Sequence, residues 1–262
     1  MSYSELENAR SHWQIQPPGN LLNDKVIAIT GAGDGIGRAA ARTFAHYGAH
    51  VVLLGKTQAK LESVFDDINA ATDTKPVIVP CDLAYLDEAN CEALAHSIED
   101  SFGHLDGLLH NASQLGTLTP LIAYPKSTWE QVFAVNVHAP MLLTKHLLPL
   151  LEASPTTASV VFTSSSVGRA GRAFWGAYSA SKFALEGLMQ ILADETETAG
   201  RVRVNSLNPG GTRTGMRALA YPAEDPNDLP SPEQHMDLYL YLMSELAASR
   251  HGEAFDARDW TP

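Results

Sequence analysis

Short apolar runs rich in Val, Ile and Leu recur along the chain from Lys25 onward, and a helix-length segment of mixed polar and apolar residues follows each of them. Strands that are apolar throughout and separated by helices are typical of a parallel sheet covered on both faces. We therefore predict an α/β fold with the strands KVIAIT (25–30), HVVLLG (50–55), PVIVP (76–80), LDGLLH (105–110), SVVFTS (159–164) and RVNSLN (203–208).

Right-handed crossovers between these units would build one doubly wound sheet, which gives a three-layer α/β/α single domain over residues 21–262. Residues 1–20 are interpreted as an N-terminal arm. A helix near 233–248 and a short GEAFDA strand are predicted to close the sheet edge. The acidic, proline-rich segment 221–232 lies in a loop near 215–232, which is either a lid over the substrate or a plain surface loop.

Composition narrows the possible partners. The 18 Lys and Arg residues against 30 Asp and Glu leave a net charge of −12, which repels polyanions, so nucleic acid is not expected as a partner and any anion site must be local. The two cysteines form neither a disulfide framework nor a metal site, so no metal is expected. Without a secretory signal or a bilayer-length apolar run, no membrane is expected as a partner, and the cytoplasm is the expected compartment.

A glycine-rich loop follows the first predicted strand and precedes an alanine-rich helix, in the sequence TGAGDGIG (30–37). Glycines at this place permit a tight turn and let backbone amides approach a pyrophosphate at the positive end of the helix. The spacing is TGxxxGxG instead of the commoner GxGxxG. A glycine-rich turn without a ligand is the alternative interpretation.

This loop resembles that of the short-chain dehydrogenases/reductases, and the resemblance extends from about Asn23 to Asp256. It implies a Rossmann-type fold and an NAD(P)-dependent oxidoreductase that acts on CH–OH/C=O groups. The cofactor-binding residues that it implies within the loop are Gly31, Gly33, Asp34, Gly35, Ile36 and Gly37.

Three later segments resemble the cofactor pocket of the same family. The first follows the third strand, the second is HNAS (110–113), which resembles the family's NNAG with Ser113 in place of glycine, and the third is NPGGTRT (208–214). Taken alone, the Asp and Asn of the first two segments would more often be a helix cap and a turn former. The cofactor residues implied here are Asp82, Leu83, Asn111, Ala112, Pro209, Gly210, Thr212 and Thr214.

The end of the second strand bears on the choice between NADP(H) and NAD(H). Gly55 stands where an NAD-preferring relative would usually have Asp, and Lys56 beside it would attract a 2′-phosphate. Asp34 argues against this choice, because NADP enzymes of the family often have a basic residue there. We predict a preference for NADP(H), with NAD(H) as the alternative and a solvated loop lysine as the other interpretation of Lys56.

The catalytic prediction starts from Tyr178 and Lys182, whose i,i+4 spacing puts phenol and ammonium on one helix face. A tyrosine is a poor acid or base at neutral pH unless a nearby positive charge stabilises its phenolate, which Lys182 can supply. Ser165, thirteen residues before Tyr178, matches the family's catalytic serine, although the run of serines leaves its register slightly ambiguous. Asn136 resembles the fourth catalytic member, which supports a proton relay to the lysine. Tyr178 and Lys182 are also expected to contact the cofactor.

The substrate is predicted to be a small carbonyl or alcohol of unknown identity. Arg169, Arg172 and Trp175 lie on a segment that borders the substrate pocket in the family, and two arginines there suggest an anionic substrate. Solvent-facing arginines or a subunit contact are the other interpretation of the two arginines, and it is the one favoured here.

The resemblance also implies a homodimer or homotetramer formed by the long helices around 127–152 and 178–199, whose apolar positions Met141, Leu142, Leu185 and Met189 could equally be core. Two other functions were weighed. One is a cofactor-binding sensor or scaffold with little turnover. The other, an extended epimerase or dehydratase, is disfavoured because only 48 residues follow Thr214.

Overall fold

The computed structural model describes residues 18–260. Residues 1–17, and with them all but the end of the predicted N-terminal arm 1–20, lie outside the described residues. The segment 215–232, predicted as a loop, is not a loop throughout, because it begins with a short helix, Gly215–Ala220.

A parallel sheet forms the centre of the described chain, with the strand order β3-β2-β1-β4-β5-β6-β7. The order reverses between β1 and β4, which leaves a crevice beyond the carboxyl ends of these strands. The bounds are β1 (Val26–Thr30), β2 (His50–Gly55), β3 (Val77–Pro80), β4 (Gly107–His110), β5 (Ala158–Thr163), β6 (Val202–Asn208) and β7 (Ala254–Asp256).

Helices cover both faces of the sheet. Alternate residues of β1 point to opposite faces, so Ile27 and Ile29 pack in one apolar core and Val26 and Ala28 in the other. The doubly wound three-layer prediction is therefore confirmed. The helices are α1 (Gly35–His46), α2 (Gln58–Asn69), α3 (Glu88–Phe102), α4 (Lys126–Phe133), α5 (Ala139–Glu152), α6 (Gly176–Glu197), α7 (Gly215–Ala220) and α8 (Met236–Met243).

The predicted continuous helix from 127 to 152 is interrupted. A π-helical turn, Ala134–His138, separates α4 from α5. Pro140 has no amide hydrogen, so it cannot make the usual α-helical hydrogen bond to the carbonyl of Asn136. The backbone hydrogen bonds change here to the wider spacing of a π-helix, in which Ala139 N donates to the carbonyl five residues earlier, Ala134 O.

One predicted helix and one predicted strand are shorter in the structure than expected. The helix expected at 233–248 is limited to α8, because Ser244 adopts an extended conformation and its hydroxyl accepts from Leu246 N at 3.3 Å. The fourth strand starts only at Gly107. The preceding Asp106 uses its buried carboxylate to accept from Val26 N at 2.8 Å.

Candidate active site

A cleft of about 960 Å³ lies at the carboxyl ends of the central strands. It joins the glycine loop after β1 to the segment after β5 and the start of α6. Most of the predicted site residues line it, namely Gly31, Gly33, Asp34, Gly35, Ile36, Lys56, Asp82, Leu83, Asn111, Ala112, Ser165, Trp175, Tyr178, Lys182, Pro209, Gly210, Thr212 and Thr214. Gly37, Asn136, Arg169 and Arg172 are not part of this lining.

The glycine loop turns directly into α1. Gly31 has a φ of +68°, a conformation in which any residue with a side chain would be strained. Asp34 caps the helix, because its side chain accepts a hydrogen bond from Gly35 N at 2.8 Å. A Cβ on Gly37 would lie 2.2 Å from the carbonyl oxygen of Gly31. Gly37 therefore allows α1 to pack against the loop, while the amino end of α1 faces the cleft and can receive a pyrophosphate.

Thr30 connects the first loop to the loop after β4, a role that the sequence analysis did not assign to it. Its Oγ1 accepts from Asn111 N at 2.9 Å and from Ala112 N at 3.0 Å, and Asn111 Nδ2 donates to Thr30 O at 3.2 Å. These bonds hold the two loops that border the crevice in one arrangement.

Two lysines line the end of the cleft near β2. Lys56 is exposed there, and Lys60 on α2 also lines the cleft and forms an ion pair with Asp34. The hydrogen bond from Lys60 is the main reason that the pKa of Asp34 lies below its usual value. Lys60 thus offsets the acidic charge that argued against a 2′-phosphate. Asp82 accepts from Ala84 N at 3.0 Å and so caps a short helical turn beside the same end.

Tyr178 and Lys182 lie buried at the floor of the cleft. Lys182 Nζ donates to Thr163 O at 2.7 Å and lies 5.6 Å from the centroid of the Tyr178 ring. Burial raises the pKa of Tyr178 to about 12, while the hydroxyls of Ser165 and Ser113 act to lower it. Burial also lowers the pKa of Lys182 to about 8, and the nearby carboxylate of Glu186 acts to raise it.

Asn136 sits in the π-helical turn, behind the cleft. Its Oδ1 accepts from Gln114 N at 2.7 Å, and its Nδ2 donates to Gln114 O at 3.0 Å and to Ser181 Oγ at 2.9 Å. The side-chain amide therefore fixes the segment after β4 relative to α6. Pro140 has no amide hydrogen to donate to the backbone carbonyl of Asn136.

Two further residues near the catalytic group were missed from the sequence. Ser113 lines the cleft, and its buried hydroxyl makes no hydrogen bond of normal geometry within the described part of the chain. Glu186 follows Lys182 by one helical turn and accepts from Ser206 Oγ at 2.6 Å. Helical spacing would have pointed to Glu186, and the departure from NNAG would have pointed to Ser113.

The substrate assignment of Arg169 needs correction. Its Nε donates to Glu186 at 3.0 Å and its Nη2 donates to Phe255 O at 2.9 Å, so this arginine is neutralised and joins α6 to β7. Arg172 is exposed, and its Nη1 donates to the Tyr221 hydroxyl at 3.2 Å. Trp175 does line the cleft, with its ring 5.7 Å from that of Tyr178. The two arginines therefore do not form an anion site in the cleft.

Comparison with known proteins identifies the family. The model of the family described as short chain dehydrogenase matches residues 25–225. The chain belongs to the short-chain dehydrogenase family. It is also 51% identical over 243 residues to the oxidoreductase YciK of Escherichia coli (strain K12), covering 93% of this chain and 95% of that protein.

Solved structures of other short-chain dehydrogenases resemble this one closely. One, from Shigella flexneri 2a strain 301 in complex with NADP, shares 51% identity and a TM-score of 0.89, over 92% of this chain and 100% of its own. Another, from Escherichia coli CFT073 in complex with NADPH, has the same identity, TM-score and coverage. The predicted family and Rossmann-type fold are confirmed, and the chain is an NAD(P)-dependent oxidoreductase of this family acting on CH–OH/C=O groups.

Two further features of residues 18–260 bear on other classes of site. No helix in this range is both long and apolar enough to cross a bilayer. Nor does the same range contain a group of three or more His, Cys, Asp or Glu residues able to hold a metal ion.

Proposed function

We propose that this short-chain dehydrogenase reduces a carbonyl compound, or oxidises the corresponding alcohol, with NADP(H), and that Asn136, Ser165, Tyr178 and Lys182 perform the reaction. The observation that carries the proposal is the buried pairing of Tyr178 with Lys182 at the floor of the cleft, beside Ser165. A binding-only protein would have no need to bury a phenol and an ammonium together, because desolvating charge is costly. This disfavours the sensor or scaffold.

Each residue has a distinct part in the proposed reaction. The nicotinamide, when bound, supplies or accepts the hydride. In the direction of reduction, Tyr178 gives its proton to the substrate oxygen while Ser165 donates a hydrogen bond to the same atom. Lys182 stabilises the resulting phenolate. The side chain of Asn136 positions Gln114 and α6, and its backbone carbonyl would hold a water that returns a proton towards Lys182.

The preference for NADP(H) is supported by the relatives solved with NADP and NADPH and by the charges at the β2 end of the cleft. Lys56 and Lys60 would face a 2′-phosphate, and Gly55 brings no carboxylate to repel it. The amino end of α1 would receive the pyrophosphate. Asp82 and Leu83 would border the adenine, Asn111 and Ala112 would border the sugar next to the nicotinamide, and Pro209, Gly210, Thr212 and Thr214 would border the carboxamide.

The catalytic part is tested with the Tyr178→Phe variant, which removes the transferable proton and keeps the ring. Aldehydes, ketones, quinones and 3-oxoacyl thioesters are screened while NADPH absorbance is followed. For any accepted class, kcat/KM should fall by about 10²- to 10⁴-fold in the variant. NADPH binding, followed by its fluorescence, should persist. Cofactor binding without Tyr178-dependent turnover on every class would instead support the sensor.

The cofactor part is tested with Lys56→Ala. The ratio of kcat/KM for NADPH to that for NADH should fall by about tenfold, which corresponds to the loss of about 1.4 kcal/mol of attraction to the 2′-phosphate. Lys126→Ala is the matched control, because Lys126 is exposed on α4, forms an ion pair with Glu130 and does not line the cleft. An unchanged ratio in Lys56→Ala would reject the role of Lys56.

A further inference from the structure

The two ends of the cleft differ in charge. The β2 end carries the charged side chains of Asp34, Lys56, Lys60 and Asp82. At the other end, the hydroxyls of Ser113 and Ser165 and the ammonium of Lys182 lie beside Tyr178. The remaining large side chains that share this end of the cleft with Tyr178 are apolar or aromatic, and most of them belong to one packed cluster. They are Leu115, Trp175, Met216, Leu219 and Ala220. Gln114 and Gln131 add neutral polar groups there, and Gln114 Nε2 donates to Gln131 Oε1 at 3.4 Å.

Arg217 is the one charged side chain besides Lys182 that the described residues contribute to this second end, and it is already compensated. Its Nε donates to Glu224 Oε2 and its Nη2 to Glu224 Oε1, each at 2.6 Å. The guanidinium also lies 3.8 Å from the centroid of the Tyr221 ring. Paired in this bidentate way and stacked on an aromatic face, Arg217 has little capacity left for an anionic ligand.

The aromatic wall beside Tyr178 is held in an unusual backbone conformation. Phe174 has a φ of +73°, a value that a non-glycine residue adopts only at an energetic cost, and its carbonyl accepts from Thr119 N at 3.1 Å. The next residue, Trp175, lies with its ring 5.7 Å from Tyr178 and 5.9 Å from Tyr221. Strain of this kind is kept where the surrounding structure requires one arrangement, and here the arrangement presents the indole to the cleft.

Leu219 adds a second observation. It lines the cleft, yet 74% of its surface is exposed to solvent. An apolar side chain at a cleft mouth gains free energy when an apolar group covers it, whereas a carboxylate buried between Leu219, Met216 and Trp175 would lose hydration without a partner.

From these contacts we propose that the substrate is a neutral carbonyl or alcohol that carries an aromatic or bulky apolar group next to the reacting carbon. This group would lie against Trp175, Met216 and Leu219 while the oxygen reaches Tyr178. The inference rests on the proposed function, and it replaces the expectation of an anionic substrate. The reaction itself is unchanged: the carbonyl carbon gains a hydride from NADPH and its oxygen gains the proton of Tyr178.

The test uses probes matched in shape and different in charge, namely benzaldehyde against 4-carboxybenzaldehyde and hexanal against 6-oxohexanoate. We expect kcat/KM to favour the neutral member of each pair by at least about tenfold, because the anionic member must bury an unpaired carboxylate. Equal values, or a preference for the anionic members with Tyr178-dependent turnover, would overturn the inference and leave the proposed function intact.

Glu224→Gln sharpens the test, because it removes the carboxylate that neutralises Arg217. Discrimination against the anionic members should fall by about tenfold in this variant, since Arg217 is then able to pair with them. Glu253→Gln is the matched control: Glu253 forms the same bidentate contact with Arg250, away from the cleft lining, so discrimination should stay at the wild-type value. An unchanged ratio in Glu224→Gln would contradict the proposed role of this ion pair.

Binding measurements separate failure of the inference from failure of the proposed function. If no carbonyl shows Tyr178-dependent turnover, the proposed function fails, and isothermal titration calorimetry with the NADP⁺-saturated protein still tests the inference. Benzyl alcohol should bind at least about tenfold more tightly than benzoate. Tighter binding of benzoate, or no binding of benzyl alcohol, would overturn it.

Discussion

The charge on Lys182 depends on its burial and on a carboxylate one helical turn away. Burial lowers its pKa to about 8, close to neutral pH, so the proton that stabilises the Tyr178 phenolate is lost as the pH rises through that value. Glu186 opposes this loss through its negative charge. Because Arg169 and Ser206 hold the Glu186 carboxylate in place, Glu186 is a positioning residue that acts through Lys182.

Replacing Glu186 with Gln should move the alkaline limit of carbonyl reduction to lower pH. In the proposed mechanism reduction needs protonated Lys182, so we expect the wild-type kcat/KM to fall above about pH 8. Without the carboxylate the pKa of Lys182 drops further, and activity is lost earlier as the pH rises. The measurement is kcat/KM against pH. Glu195→Gln, at an exposed position on the same helix, should leave the profile unchanged. Identical profiles for Glu186→Gln and the wild type would rule out this role.

The side chains of the candidate site could be predicted from the sequence only where the spacing of residues along the chain indicates them. Tyr178 and Lys182 stand one turn apart on α6, and Ser165 follows β5 at the interval found in the family, so spacing together with the resemblance to the family indicated them. Lys60 was not predictable in the same way, because its contact with Asp34 depends on how α2 packs beside α1. Likewise, the pairing that neutralises Arg169 joins segments that are distant in sequence, and this is why two arginines in one segment wrongly suggested an anion site.

The π-helical turn between α4 and α5 carries Asn136, one of the predicted catalytic residues. Asn136→Ala should leave the backbone amide and carbonyl of Gln114 without their side-chain partners. We expect the free energy of unfolding to fall by about 1–3 kcal/mol, as for buried polar groups left unpaired, together with a decrease in kcat. Urea denaturation and steady-state kinetics measure the two effects. Asn90→Ala, at an exposed position on α3, is the control. A variant with wild-type stability would show that the Gln114 contacts are dispensable.

The periodicity of apolar residues predicted a helix over 127–152, but it did not predict the π-helical turn that interrupts this helix. The sequence does carry a signal for it in Pro140, which removes one amide donor, but proline near the start of a helix is also compatible with an ordinary first turn. In the structure Asn136, within the turn, is also buried against α6 through its contact with Ser181. That contact is tertiary and no local pattern contains it.

Across the whole chain, the strand pattern sufficed for the sheet, because fully buried parallel strands are apolar on both faces and stand out from the helices. Even the short β7 was anticipated by the GEAFDA segment. The apolar positions of the long helices were ambiguous between core and interface, and the structure separates them. Leu185 and Met189 are buried, Leu142 packs against the core, and Met141 is 42% exposed.

We predict that the exposed face of α6 is a contact surface of the expected dimer or tetramer. Phe183 and Ile191 are 45% and 57% exposed, and Gly187 between them has open space around it, so one face presents two apolar side chains at i and i+8 with room for a close neighbour. In a dimer with two-fold symmetry, this face of one protomer would pack against the same face of its partner, so both copies of the face would be buried.

We expect light scattering after size exclusion to give a multiple of the chain mass. The double variant Phe183→Glu, Ile191→Glu should have a smaller mass, that of one chain if the wild type is a dimer and of two chains if it is a tetramer, because four carboxylates would then meet across the axis without partners. Ile122→Glu is the control, since Ile122 is 99% exposed but lies in the segment between β4 and α4, away from this helix face. Circular dichroism checks that both variants remain folded. A wild-type protein with the mass of one chain, or a double variant with the same mass as the wild-type assembly, would show that this face is not an interface.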